Sequence, residues 1–184
     1  INALSDVSHP CQAMADLLTV RERRGELAGR TLAFVGDGNN VARSLAVACC
    51  RLGMHFVLSA PPGYELDPAT VDTDGPGTFA QTPGAADAVA GADVIYTDTW
   101  VSMGQEAERA RRVRDFQGHQ VSEALVAAAG DGAVVLHCLP AYRGYEISDA
   151  AFEAHAADIF EQAENRLHLQ RTLLHLLIAE GGIT

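Results

Sequence analysis

The chain has 184 residues, 48% of them apolar, and a formal net charge of −11 at pH 7. That is enough apolar material for a proper core in one large domain or two small ones, and the acidic balance argues against nucleic acid or an acidic membrane surface, either of which would need clustered Lys and Arg. Four cysteines without zinc-finger spacing, and with no signal peptide before them, read as reduced thiols of a cytoplasmic protein.

The chain starts at Ile1 and not at methionine, so it reads as a piece of something longer. Residues 1–8 form a leading loop. Pro10 suits a first helical turn, and Met14, Leu17 and Leu18 share a face, which predicts a helix to about Arg24. Residues 31–35 are a short, wholly apolar run with the character of a central strand in a parallel sheet. It breaks at Gly36-Asp37-Gly38-Asn39-Asn40 and passes into a helix ending near Leu52, with Val41, Leu45, Ala48 and Cys49 at helical spacing. Gly53 stops that helix, and residues 55–59 read as a second strand closed by Pro61-Pro62-Gly63.

Residues 67–84 turn to Pro, Gly, Asp and Thr, with only 78–81 suited to a short strand. A short helix over 85–90 and a strand over 93–97 follow, then a loop over 98–105 and a charged helix to about Phe116. That helix carries the one basic cluster, Arg109, Arg111, Arg112 and Arg114, mixed with Glu106 and Glu108, which reads as a solvated face. Ser122 caps a helix through Ala129, residues 133–136 are a strand ending in His137-Cys138-Leu139-Pro140, and Ser148 caps a helix to about Ala157. A last short strand is expected over 158–160 and a long helix over 162–179. Its Leu-rich end, residues 173–178, is too short to span a bilayer.

Strands alternating with helices mean βαβ crossovers, hence an α/β, doubly wound, mainly parallel sheet with helices on both faces, Rossmann-like. The C-terminal ends of parallel strands share one edge, so Asn39-Asn40, the stretch from Asp98 to Gly104, and His137-Cys138 should converge there. Each has a structural alternative. Asn39 or Asn40 can cap the helix, Asp98 can cap or turn, and His137 can be a satisfied core histidine. The glycine turn is like the start of a dinucleotide fingerprint but lacks its third glycine, and no acidic residue closes the second strand, which disfavours a nicotinamide cofactor. Adjacent residues on an extended chain point to opposite faces, so His137-Cys138 does not suggest a metal pair.

His9-Pro10-Cys11-Gln12, Gly36-Asp37-Gly38-Asn39-Asn40, the run from Asp98 to Glu106 with Ser102-Met103-Gly104 inside it, His137-Cys138-Leu139-Pro140, and the run from Ala163 to His168 stand in the order seen in ornithine carbamoyltransferases. Residues 1–184 resemble the second, ornithine-binding domain of that family, C-terminal helix included. The Ser-Met-Gly loop resembles the ornithine branch more than the aspartate, putrescine or acetylornithine branches. The resemblance implies transfer of a carbamoyl group from carbamoyl phosphate to the side-chain amine of L-ornithine, giving citrulline and phosphate, with no metal or organic cofactor. It also implies a homo-oligomer, a trimer in the family, when the protein is complete.

By the same resemblance, Asn40, Asp98, Ser102 and Met103 hold ornithine's amino-acid head, Met103 through its backbone. His9 and Gln12 contact the carbamoyl moiety, and Arg166 also reaches carbamoyl phosphate. Cys138 and the Leu139 carbonyl lie beside the reacting centre. Whether Cys138 is a base or only orients the amine stays open. Two departures stand out. The stretch 67–84 is shorter than the family's usual helix-bearing segment, so a sheet-covering helix is missing or rebuilt. The family's Ser-Thr-Arg-Thr phosphate loop, and the first domain that carries it, are absent from these residues. A related transcarbamylase with another acceptor amine, or a non-catalytic amino-acid-binding domain, are the alternatives.

Overall fold

The structure is a computed structural model that describes residues 2–102, 104 and 106–179. Helix α1 (Pro10–Arg24) leads into β1 (Thr31–Val35), followed by α2 (Asn40–Arg51), β2 (His55–Ser59), β3 (Thr78–Thr82), α3 (Ala85–Val89) and β4 (Val94–Thr97). The rest comprises α4 (Arg109–Asp115), α5 (Glu123–Ala129), β5 (Val134–His137), α6 (Asp149–Ala154) and α7 (Ala156–Ala179). Every strand pairing is parallel and the order is β3-β2-β1-β4-β5. The chain winds outward from β1 through β2 to β3, then returns to add β4 and β5 on the other side. The switch point lies between β1 and β4, where open α/β sheets bind ligands.

Because side chains alternate along a strand, each strand feeds two cores. Leu32, Phe34, Phe56, Leu58, Tyr96 and Leu136 pack with Leu17 and Val20 of α1 and Leu45 and Cys49 of α2. Ala33, Val35, Ile95 and Val135 pack on the opposite face with Val89, Ala129, Phe152 and Ile159. Apolar residues on both faces are what made these runs look continuous in sequence. The register sets Val35 level with Ser59 and Thr97, and Thr97 level with His137, so the strands end along one rim.

The crossover from β2 to β3 has no α-helix. A 3-10 turn (Pro68–Thr70) and a loop replace it, docked on the end of α2 by Gly77 N–H to Cys50 O at 2.9 Å and Thr78 N–H to Met54 O at 3.0 Å. A Cβ on Gly77 would lie 2.2 Å from Met54 O, and one on Gly75 2.3 Å from Cys50 O, so only glycine lets the loop sit this close.

Two expectations are corrected. Residues 158–160 are not a strand: α6 ends at Ala154, the chain turns at His155, and α7 begins at Ala156 and absorbs them. Asp158 in the first turn favours that helical start, and a strand would have brought Phe160, 56% exposed, into a sheet. The basic cluster is also not uniformly solvated. Arg109, Arg111 and Arg114 are exposed, but Arg112 is buried; it pairs with Asp37, donates through Nε to Trp100 O, and lies 4.9 Å from the centre of the Tyr64 ring. An arginine has to satisfy its charge and its donors to be buried, and these partners do so.

Along α7, Ile159, Gln162 and Asn165 are buried against the body of the domain. Farther on, Leu169, Leu173, Leu176 and Leu177 are only half-buried, while Leu174 and Ile178 are exposed.

Candidate active site

A cavity of about 630 Å³ opens at the rim where the strands end. One wall is the switch point. Gly36 has φ +148°, and a Cβ on Gly38 would lie 2.7 Å from Tyr64 O, so the chain can leave β1 in this tight turn only with glycine at both positions. Asn39 caps α2: its Oδ1 accepts from Val41 N and Ala42 N, each at 3.0 Å. Its Nδ2 donates to Asp98 Oδ2 at 2.7 Å, while Asp98 Oδ1 accepts from Thr99 N at 2.7 Å. Asn39 thus lines the cavity as the helix cap, and Asn40 lines it beside Asn39, with its Nδ2 donating to Ser5 O at 2.7 Å. The loop after Asp98 is tied down by Arg112 at Trp100 O and brings Ser102 to the cavity wall.

A second wall is the turn after β5. His137 is fully buried, and Leu139 N donates to its Nδ1 at 2.9 Å. Nδ1 is thus an acceptor, so Nε2 carries the proton and donates to Glu146 Oε1 at 3.2 Å. His137 is the satisfied core histidine of the structural reading, and its work is to shape the turn. Leu139 takes a left-handed φ of 57° before a cis bond to Pro140, and Cys138 and Leu139 reach the cavity. Burial pushes the Cys138 thiol well above the ordinary thiol range, and the neighbouring Asp98 carboxylate pushes it the same way. Cys138 is therefore a neutral thiol at neutral pH.

The third wall is formed by α1 and α7. His9 precedes α1; its N–H donates to Ser44 Oγ at 2.8 Å and its Nδ1 faces Ala3 O at 2.7 Å. A carbonyl can only accept, so Nδ1 bears the proton and Nε2 of the neutral ring is an acceptor. Burial lowers the His9 pKa, and the nearby Arg166 lowers it further. Arg166, on α7, donates through Nη1 to Gln12 Oε1.

Thus His9, Gln12, Asn40, Asp98, Ser102, Cys138, Leu139 and Arg166, drawn from stretches up to 157 positions apart in the sequence numbering, line one cavity. Met103 lies outside the described residues. Reading the sequence missed three groups. Glu146 lines the cavity with Oε2 unpartnered and had no motif to announce it. Arg109, beside the rings of Tyr142 and Tyr145, was hidden in a charged run. Asp16 is fully buried behind Gln12, and its four-residue spacing from Gln12 on a helix was the available signal. No helix among the described residues is long and apolar enough to cross a membrane.

Comparison with known proteins extends this picture. Residues 28–177 match the family described as the Asp/Orn binding domain of aspartate/ornithine carbamoyltransferase. The chain is 51% identical to an ornithine carbamoyltransferase of Acidothermus cellulolyticus over 190 residues, covering 99% of this chain and 60% of that protein. Among solved structures, the ornithine carbamoyltransferase from Pyrococcus furiosus superposes with a TM-score of 0.89 at 43% identity, covering 99% of this chain and 59% of that one. The anabolic enzyme from Campylobacter jejuni gives 0.91 at 37% identity, covering 98% and 62%. The chain therefore spans about 60% of the length of the relatives it matches.

Proposed function

The chain belongs to the aspartate/ornithine carbamoyltransferase family, and from that premise we propose that residues 1–184 are the ornithine-binding, C-terminal part of an ornithine carbamoyltransferase. The reaction is transfer of the carbamoyl group from carbamoyl phosphate to the δ-amine of L-ornithine, giving L-citrulline and phosphate. One observation carries this reading: Asp98, Asn40 and the Ser102 loop share a single cavity with Cys138, Leu139, Gln12 and Arg166.

The chemistry of each wall fits its part. A carboxylate at Asp98 suits ornithine's α-ammonium, and the Asn40 amide with the N–H groups of the Ser102–Met103 loop suits its carboxylate. The δ-amine then lies toward Cys138 and the Leu139 carbonyl. It must shed a proton before its lone pair can attack the carbamoyl carbon. As the new C–N bond forms, the C–O bond to phosphate breaks, and the surplus amine proton leaves with the phosphate. A thiol held neutral is not a standing base, so Cys138 serves to orient the amine. Gln12 and Arg166 face the carbamoyl phosphate, and His9, neutral with Nε2 as acceptor, suits its NH2 group.

The phosphate needs several cationic and N–H donors to hold it in line and stabilise the charge that develops on transfer. A preceding domain supplies most of these in this reading. The complete protein is a cytoplasmic homo-oligomer serving arginine metabolism and uses no metal or organic cofactor. The test is citrulline formation by the complete protein from ornithine and carbamoyl phosphate, alongside calorimetry of ornithine, norvaline and other amines. Preference for another amine would move the protein to a sister branch, and tight amino-acid binding without any turnover would make it a binding domain.

A further inference from the structure

Helix α1 turns a polar seam toward α7. Gln12, Asp16 and Thr19 lie one above another, and Gln162, Asn165 and Arg166 face them. Asp16 sits in the middle of that seam with no exposed surface, where a leucine would fill the space without desolvating a carboxylate. Three donors converge on it. Gln12 Nε2 and Gln162 Nε2 each donate to Oδ1 at 2.7 Å, and the Tyr96 hydroxyl donates to Oδ2 at 2.9 Å. With its NH2 drawn inward to Asp16, Gln12 presents its carbonyl oxygen to Arg166 Nη1. Gln162 cannot turn, because its own carbonyl accepts from His137 N at 2.9 Å.

We propose that Asp16 is a positioning residue of the site, holding the Gln12 amide in the one orientation that offers its oxygen to the Arg166 guanidinium. Its consequence for turnover rests on the carbamoyl transfer proposed above. Gln12 stands between Asp16 and Arg166, so the buried acid acts on the cavity through the amide and touches no substrate. If the amide reversed, its NH2 would meet the guanidinium and push Arg166 away from the carbamoyl phosphate.

This arrangement is sensitive to pH. Burial raises the Asp16 pKa to about 7, against the opposing pull of its three donors and of Arg166. The titratable groups around it are Tyr96 on β4, Arg166 on α7, Cys49 on α2 and Cys138 after β5. Only Arg166 among them is charged at neutral pH, since burial holds both thiols and the phenol protonated. A proton on Asp16 puts a donor where three donors already meet. With Gln162 fixed, either the Tyr96 hydroxyl or the Gln12 amide must turn.

Two measurements test this. In NMR spectra of the chain, the Gln12 side-chain amide and the Arg166 guanidinium should titrate together with a midpoint near 7, and Asp16→Asn should abolish that transition. In the complete enzyme, Asp16→Asn should raise KM for carbamoyl phosphate about tenfold while leaving KM for ornithine within about twofold. Tyr96→Phe, which removes one donor from the carboxylate outside the cavity, should move the acid limb of kcat/KM for carbamoyl phosphate to higher pH. A Gln12 amide that does not titrate, or that still titrates in Asp16→Asn, overturns the inference. So does an active enzyme whose carbamoyl phosphate KM and acid limb ignore both substitutions. Correct titration in a chain whose complete protein makes no citrulline would instead sink the function proposed above and leave the Asp16–Gln12–Arg166 coupling standing.

Discussion

At the switch point, the polar groups of the cavity are anchored on main chain: Asn39 by the first N–H groups of α2, and Asp98 by Thr99 N together with the side-chain amide of the capping Asn39. Across the cavity, Gln12 and Arg166 are held by other side chains, through Asp16, Gln162 and Tyr96. Strand ends and a helix cap cannot shift without disturbing the sheet, so the first wall is a preformed socket. The wall of α1 and α7 is a chain of amides and one acid between two helices, whose orientation depends on a protonation state. Under the function proposed above, a rigid socket suits the unreactive amino-acid head, and an adjustable wall suits a ligand that must be gripped and then lose a bond.

The sharpest way to break this contrast is to ask these walls to work without a preceding domain. The 184-residue chain should bind ornithine weakly yet form citrulline at least about 10³-fold more slowly than the complete enzyme, because Arg166 and Arg109 are the only cationic Arg or Lys side chains among the described residues that line the cavity. Assay of the purified chain with saturating substrates, with and without an added first domain, checks this. An ordinary rate from the chain alone would mean a phosphate site elsewhere.

Next in size is the pH dependence of stability. A carboxyl that keeps its proton up to about pH 7 when folded, but loses it near 3.8 when unfolded, makes the native state bind more protons between those values. Stability from Asp16 is therefore greatest at acid pH and falls as pH rises through 7. Moving from pH 5 to pH 8, Asp16→Asn should gain about 3 kcal/mol on the parent in urea unfolding. Equal pH slopes for the two proteins would show that the α1–α7 wall carries no ionisable switch.

Cys138→Ser in the complete enzyme tests the boundary between the walls. It should lower kcat about a hundredfold, the scale of a misplaced reacting group, with little change in ornithine affinity. Equal losses in both would make Cys138 part of the binding socket only.

The smallest effect should come from the socket itself. Asp98→Asn should weaken ornithine binding by about 1.5–3 kcal/mol, the scale of a hydrogen bond to a charged group, without moving the unfolding midpoint. Unchanged affinity by calorimetry would remove Asp98 from the head-group site.

Much of this was legible in the chain. The strand over 31–35, its glycine turn and the helix after it stand where the apolar run and Gly36-Asp37-Gly38 suggested, because a strand buried on both faces and a turn without Cβ leave few alternatives. The expected strand over 158–160 failed because Ile159 and Phe160 look the same in a buried strand and in the first turn of a helix; only packing against β5 and α1 decides. Arg112 looked solvated because its neighbours Arg111 and Arg114 are, and nothing local reveals that Asp37 and Trp100 O come to meet it from elsewhere in the chain.

The sequence by itself determined the order of strands and helices apart from the strand expected over 158–160, the rim on which the polar turns collect, and the motifs that mark the family, since these follow from short-range periodicity and from residues read in place. Only the tertiary structure decided which asparagine caps α2, which ring nitrogen of His137 carries the proton, and that Asp16 governs Gln12. Those outcomes depend on donors and acceptors brought within about 3 Å from distant positions, and hydrogen bonds fall off too steeply with distance and angle for any local pattern to encode them.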